Sequence, residues 1–401
     1  MVGNLMEHKK KVAIVGIGMD GTDTLTQAGR RAIEAADLLI GAERMLRPFR
    51  HLGKREVVSY QPAPIICDCE EQHIAVLVSG DVGFYSAAEK LLPRLEGLEV
   101  EVICGIATPV YFSARLGLSW SDMHFVSLHG ANASIVRNVC AHKTTFFLLG
   151  GDVTPALLCR RLCEYGLQNV TVHIGENLSS DAEHVTSGCA KDFTEYEAER
   201  LCAVIVQNEQ YERGIRAGID DSEFIRGDIP MTKSEVRTLV VAKLGIGEGD
   251  VCWDIGCGTG SVSVEMALRG EDVSVYAVDK NAEAVALTQR NCEKFGCDNI
   301  EIIHEKAETA VSSFPPPDCV FIGGSGGSIE PIVQAAYAKN PAVRMVVTAV
   351  SLETLHQAAT VFEQLGMACA ITQIAVTRTR KVGSHTMLAA ENPIFIIQRK
   401  L

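Results

Sequence analysis

Two sets of glycine-rich segments hold the residues best placed to do chemistry. The strongest single motif is Asp254-Ile255-Gly256-Cys257-Gly258-Thr259-Gly260, after the apolar run Val251-Cys252-Trp253 and before a helix predicted to open at Ser261. Glycines at this spacing allow positive φ and let a ligand approach the main chain. The helix start offers N–H groups that have no partner inside the helix. Asp279 closes the next apolar run, Tyr276-Ala277-Val278-Asp279. A carboxylate there can accept both hydroxyls of a ribose. The spacing is G-x-G-x-G rather than G-x-G-x-x-G, and Asp254 stands two residues before the first glycine. A carboxylate beside the loop repels a pyrophosphate and attracts the cationic sulfonium and ammonium of S-adenosylmethionine. The competing reading of the 254–279 loop is an NAD-dependent oxidoreductase.

The other set lies in the first half. It comprises Gly16-Ile17-Gly18-Met19-Asp20-Gly21 after the apolar Val12–Val15, then Gly80-Asp81-Val82-Gly83-Phe84-Tyr85-Ser86, then Cys104-Gly105-Ile106-Ala107-Thr108. Cations cluster at Arg44–Arg55 and at Arg378, Arg380, Lys381 and His385. Forked guanidinium groups suit carboxylates, although a solvated charged surface is the preferred reading of Arg44–Arg55 and an equal one at Arg378–His385. His129 and His304 have the right side chain for acid–base work but stand in no Ser-His-Asp or Cys-His arrangement. The closest cysteine pairs, Cys67/Cys69, Cys159/Cys163 and Cys292/Cys297, lack C-x-x-C spacing, so no metal site is expected.

These motifs need strands and helices to hold them. Apolar runs at 11–16, 73–79, 99–104, 144–149 and 201–207 read as buried strands, with helices at 26–36, 86–95, 108–116, 132–141 and 154–165. Few of these strands alternate, which predicts parallel sheets covered on both faces. A second series follows residue 230: strands 250–254, 273–278, 300–303, 318–322 and 343–349, and helices 233–243, 261–269, 281–295, 328–338 and 351–365. Two long β runs, 368–379 and 387–398, are expected to close the chain as an antiparallel edge pair. The polar, glycine-containing stretch between the series sets domains at 1–215 and 229–401, with a linker at 216–228. Both are α/β.

Lys+Arg 37 against Asp+Glu 50 gives a net charge of −13, which argues against nucleic acid as a partner. No apolar run reaches the ~18–20 residues of a membrane span. The basic start and short apolar run at 8–15 end too early for a signal peptide, and a cytoplasmic location is expected.

The second half, about 225–400, resembles class I S-adenosylmethionine-dependent methyltransferases. Gly227-Asp228-Ile229-Pro230-Met231-Thr232-Lys233, the 254–260 loop and Phe321-Ile322-Gly323-Gly324-Ser325-Gly326-Gly327 together resemble corrin-pathway enzymes that methylate carbon 15 and decarboxylate an acetate arm. Residues 11–210 resemble the tetrapyrrole methylase family, class III methyltransferases of two α/β subdomains. That family usually has proline where this chain has Val82, and often where it has Cys104. The fusion has the layout of the bifunctional, decarboxylating precorrin methyltransferases of cobalamin biosynthesis. The resemblance implies two S-adenosylmethionine sites. One is held by Gly80, Asp81, Val82, Tyr85, Gly105, Ile106 and Thr108. The other is held by Thr232, Asp254, Gly256, Cys257, Gly258, Thr259, Gly260, Asp279 and Ala307. Gly16, Gly18, Gly21, Gly323 and Gly324 would make room for a flat tetrapyrrole, and Arg378, Arg380 and Lys381 would meet its carboxylates. A homo-oligomer is also implied. A methine carbon of a reduced tetrapyrrole is enamine-like, so methylation needs alignment more than a strong base. Decarboxylation can use the protonated macrocycle as electron sink.

Overall fold

The structure, a computed structural model, describes residues 10–19, 23–128, 133–199, 201–212, 214, 216–324 and 326–400. They fall into two compact units. The first is drawn from Met1–Ala131, Thr144–Cys159 and Asn169–Gln207, the second from Asn132–Lys143, Arg160–Gln168 and Asn208–Leu401.

In the first unit, β1 (Lys11–Gly16), β2 (Leu38–Gly41), β3 (Arg55–Val58), β4 (His73–Val78) and β5 (Glu99–Ile103) form one sheet in the order β3-β2-β4-β1-β5. Every pairing in it is parallel. Val12, Ile14, Val15, Leu38–Ile40 and Ile74–Leu77 are buried, because both faces of the sheet are covered. A second sheet contains β6 (His124–Ser127), β7 (Thr144–Leu148), β8 (Thr171–Glu176), β9 (His184–Cys189) and β10 (Cys202–Gln207), in the order β6-β7-β10-β8-β9. Only β6 and β7 pair in parallel; β10 runs antiparallel to both neighbours, and β8 to β9. The expectation of wholly parallel sheets is corrected here. β8 and β9 are joined by the short turn 177–183, too short for a parallel crossover.

In the second unit, β11 (Val251–Ile255), β12 (Ser274–Asp279), β13 (Ile300–His304), β14 (Cys319–Ile322), β15 (Arg344–Ala349) and β16 (Cys369–Ile374) share a seven-stranded sheet with the final strand. The C-terminal β runs break differently from expectation. Each divides in two, the first into β16 and β17 (Thr377–Val382), the second into β18 (His385–Ala390) and β19 (Ile394–Arg399). β19 lies between β15 and β16, antiparallel to both, so it is not an edge strand. β17 and β18 form a separate hairpin. Their residues are almost all exposed, so they present no buried face that would hold them in the main sheet. Pro393, with no N–H to donate, interrupts the second run.

Helix Ala282–Phe295, which underlies the glycine loop, has its limits written locally. The Asn281 side chain accepts from Glu283 N–H at its start, and Gly296 ends it at φ 63°. Among the described residues no helix is long and apolar enough to cross a membrane.

Candidate cofactor and substrate sites

In the second unit the glycine loop leaves the C-terminal end of β11. Gly256, Gly258 and Gly260 all have positive φ, at 75°, 58° and 74°. Two of them also answer to close neighbours. A Cβ on Gly256 would stand 2.8 Å from the amide nitrogen of Gly324, and one on Gly260 would stand 2.7 Å from Thr288 Cγ2. Asp279 is fixed at the end of β12. Its Oδ2 accepts from Gly258 N–H at 3.1 Å and its Oδ1 from Asn281 N–H at 2.9 Å. Each oxygen keeps a further lone pair for a hydroxyl. Cys257 is buried, and its sulfur accepts from the Thr288 hydroxyl at 3.4 Å.

Asp254 is fully buried. The Ser263 hydroxyl donates to its Oδ2, while Oδ1 has no partner. Thr259 Oγ1, also buried, is likewise without one. Burial pushes the Asp254 carboxyl up to about 7; the Ser263 bond opposes that rise and the charge of Asp279 adds to it. Both atoms belong to the motif expected to hold a ligand, where a bound polar group would satisfy them.

The segment 218–232 is pinned against this loop by a buried ion pair that the sequence reading did not find. Arg237 is fully buried and donates from Nε to Glu265 Oε1 at 2.6 Å. It also donates to the carbonyls of Thr232 (2.7 Å) and Ile219, and stacks over Phe224. Glu265 in turn accepts from Gly218 N–H and Ile219 N–H, at 3.1 and 3.2 Å. Glu265, in helix Ser261–Ala267, is thereby committed to Arg237. An arginine between the apolar Val236 and Val240 was the available signal, since a buried cation requires a carboxylate. Thr232 is half-buried at the end of this segment, and Ala307 opens helix Ala307–Ala310 after β13.

The cations of the hairpin divide into one that is paired and two that are exposed. The Arg378 guanidinium is engaged by Glu235 (Nε to Oε1, 3.0 Å) and Asp221 (Nη2 to Oδ2, 3.1 Å), so it ties β17 to the start of helix Ser234–Leu244. A substrate carboxylate would have to displace those partners. Arg380 and Lys381 are exposed. Gly323 and Gly324 follow β14, and both amides donate to the Ile255 carbonyl, at 3.0 and 3.3 Å. His304 donates from Nε2 to the Lys280 carbonyl at 3.1 Å, a loop contact.

In the first unit, three loops meet at the C-terminal ends of the neighbouring strands β4, β1 and β5. Gly18 and Gly80 exchange backbone hydrogen bonds of 3.0 and 2.6 Å. A Cβ on Gly16 would stand 2.7 Å from Gly105 N and 2.8 Å from Gly80 O. Asp81 binds the loops together: Oδ1 accepts from Gly83 N–H at 2.8 Å and Oδ2 from Gly105 N–H at 2.9 Å. The two positions where proline is usual are tied by other means. Val82 packs half-buried on the core, and the Cys104 carbonyl accepts from the Thr26 hydroxyl at 3.3 Å. Tyr85 has φ 46°, rare for a bulky side chain, and its hydroxyl donates to the Phe125 carbonyl at 3.2 Å. Ile106 lies in the β5–helix loop, and Thr108 opens helix Thr108–Leu116. Gly21 and His129 lie outside the described residues.

A cavity of about 450 Å³ opens beside the Gly80 loop, lined by Met45, Tyr60, Val78, Tyr85, Lys90 and Arg94 among others. Of the predicted site residues only Tyr85 lines it. Lys90 and Arg94 were missed because nothing in sequence brings them near Tyr60. The Arg44–Arg55 run is largely held by local acceptors, Arg50 by Glu43 and Glu56, and Arg55 by Glu71.

Comparison with known proteins matches the two halves to two different families. Residues 223–400 match the model of a precorrin methyltransferase domain, and residues 11–194 that of the tetrapyrrole (corrin/porphyrin) methylases. A protein of Pyrobaculum calidifontis, named a probable cobalt-precorrin-6B C(15)-methyltransferase (decarboxylating), is 43% identical over 183 residues, covering 45% of this chain and 94% of that protein. The precorrin-6Y C(5,15)-methyltransferase (decarboxylating) of a Sinorhizobium species is 27% identical over 395 residues, 94% of this chain and 92% of its own. A solved structure from Methanobacterium thermoautotrophicum, titled precorrin-8W decarboxylase, is 36% identical with a TM-score of 0.44, over 46% of this chain and all of that one. The chain is an α/β methyltransferase. It belongs to the decarboxylating precorrin methyltransferases, with a tetrapyrrole methylase domain in its first half. S-adenosylmethionine is the methyl donor of such enzymes, and the reading of the 254–279 loop as an NAD site is set aside.

Proposed function

We propose that this chain methylates a precorrin-6Y-type macrocycle at carbons 5 and 15 and decarboxylates its ring C acetate, within cobalamin biosynthesis. Each half has its own S-adenosylmethionine site. The observation that carries this reading is the Sinorhizobium relative, similar along 94% of the chain with both halves in the same order.

When bound, S-adenosylmethionine supplies a methyl group on a positively charged sulfur, open to in-line attack by a ring carbon. The residues of the second unit suit such a ligand. Asp279 can hold ribose hydroxyls, the loop from Gly256 to Gly260 admits close approach, and the orphaned oxygens of Asp254 and Thr259 answer polar or cationic groups. The carboxylate of Asp254 favours the cation, because an opposite charge offsets the cost of its burial. In the first unit, Asp81 holds the loops of Gly80 and Gly105 in register for the second cofactor molecule. The adjacent cavity offers an apolar floor with Lys90 and Arg94 at exposed positions, a fit for a hydrophobic ring bearing carboxylates.

Incubation with precorrin-6Y and S-adenosylmethionine should give a product with two added methyl groups and one carbon dioxide lost. A product carrying neither change, from protein that binds the cofactor, would overturn the reading. The Pyrobaculum relative favours a second version in which the ring already holds cobalt. Parallel assays with metal-free and cobalt-loaded substrate separate the two.

A further inference from the structure

We propose that Asn291 is a positioning residue for the second unit's cofactor site, acting through the 218–232 segment. The proposal rests on the reading of that site as the carbon-15 methylation centre.

Asn291 lies on helix Ala282–Phe295 and is fully buried. All of its hydrogen-bonding goes to backbone of two other segments. Its Oδ1 accepts from Ile225 N–H at 2.8 Å. Its Nδ2 donates to the Ile225 carbonyl at 3.0 Å and to the Thr259 carbonyl at 2.8 Å. One carboxamide therefore joins the middle of the 218–232 segment to the glycine loop. Three turn-forming residues of that loop are held from the same helix, since Thr288, one turn earlier, donates to the Gly258 carbonyl at 3.2 Å and to Cys257 Sγ.

The segment that Asn291 holds lies directly on the loop. A Cβ on Gly258 would stand 3.1 Å from the Pro230 carbonyl and 3.6 Å from Ile229 Cγ2. Arg237 and Glu265 fix both ends of the segment, at Gly218–Ile219 and at Thr232. Lys294 also holds the Glu223 carbonyl and Phe224 packs on Phe295, but it is Asn291 whose hydrogen bonds join the segment to the glycine loop itself, so its loss lets the gap between Pro230 and Gly258 change. A cofactor bound along Gly256–Gly260 has this segment as its wall. Asn291 thus sets the width of the pocket while touching no reacting atom. Loss of its amide should weaken cofactor capture and leave the chemical step nearly intact once the site is filled, because small displacements of a binding wall act on ground state and transition state alike.

The test uses the full-length chain with the N291L variant, close in size but without hydrogen bonds, and N291D, which keeps only the acceptor. Methylation at carbons 5 and 15 is resolved by NMR of the product, and KM for S-adenosylmethionine is measured for each. For N291L the carbon-15 KM should rise on the order of tenfold or more, with kcat at saturation within about threefold of wild type. The carbon-5 KM should not move. N291D should fall between wild type and N291L; if N291L does not fold, N291D bears the test alone. V333A, a core truncation at a fully buried position away from the loop, controls for general loss of stability. An unchanged carbon-15 KM in the Asn291 variants, or an equal rise in V333A at matched Tm, refutes the positioning role. Absence of carbon-15 product from wild-type protein refutes the functional reading instead.

Discussion

The carboxyl of Asp254 should make the second unit lose stability as pH rises toward neutrality, and Asp254→Asn should remove that loss. Burial lifts the group from near 3.8 to about 7 in the folded chain. The folded state therefore keeps a proton that the unfolded state has already released. Stability is free of this penalty below about 3.8, falls through the window from 3.8 to 7, and stays lowered above it. Three units at about 1.4 kcal/mol each give a full penalty of about 4 kcal/mol, of which about 3 kcal/mol accrues between pH 5 and pH 8. Full burial leaves no solvent screening to discount. An asparagine can still accept from Ser263, and its amide is placed where Oδ1 is orphaned, a cost that does not vary with pH. Urea unfolding without cofactor, followed by fluorescence of the buried Trp253 in a W120F background, measures the difference directly. The D254N variant should gain about 3 kcal/mol on wild type between pH 5 and pH 8. S-adenosylmethionine binding to wild type should strengthen over the same window, since a cation prefers the ionised carboxylate, and D254N should bind weakly at every pH. Stability curves for the two proteins that stay parallel within ~0.5 kcal/mol would show that Asp254 is not a buried titrating group.

Three further outcomes follow from the geometry. Gly256→Ala places a methyl group against Gly324 at a positive φ, and should lower stability by about 1–3 kcal/mol and abolish carbon-15 methylation in a discontinuous product assay. Arg237→Met leaves Glu265 buried without its cation and should cost about 3–5 kcal/mol in urea unfolding; adding Glu265→Gln should recover part of it. Asp81→Ala removes both bonds that join the loops of Gly83 and Gly105, so the KM for S-adenosylmethionine in carbon-5 methylation should rise about tenfold while carbon-15 methylation holds.

Where a residue's environment is made by its own neighbours in sequence, it was readable. The helices around Asp254-to-Gly260 and Asn281-to-Gly296 are bounded by caps and glycines whose meaning is local. The buried strands of both units announce themselves as apolar runs. The antiparallel half of the second sheet did not, because a short β8–β9 turn without an Asn-Gly or Asp-Gly pair leaves no strong hairpin signature. Nor did the departure of β17–β18 from the main sheet, since strand propensity says nothing about which face is covered.

The sequence by itself determined the two glycine-loop classes, their order along the chain and the acidic residues that flank them, because backbone freedom and charge belong to a residue type and its spacing. Only the tertiary structure decided who meets whom: that Arg237 answers Glu265, that Asn291 reaches Thr259 and Ile225, that Arg378 is already held by carboxylates, and that Lys90 and Arg94 share a cavity with Tyr60. Such partnerships join positions up to 157 residues apart. They exist because burial forces each polar group to find a mate wherever the fold places one.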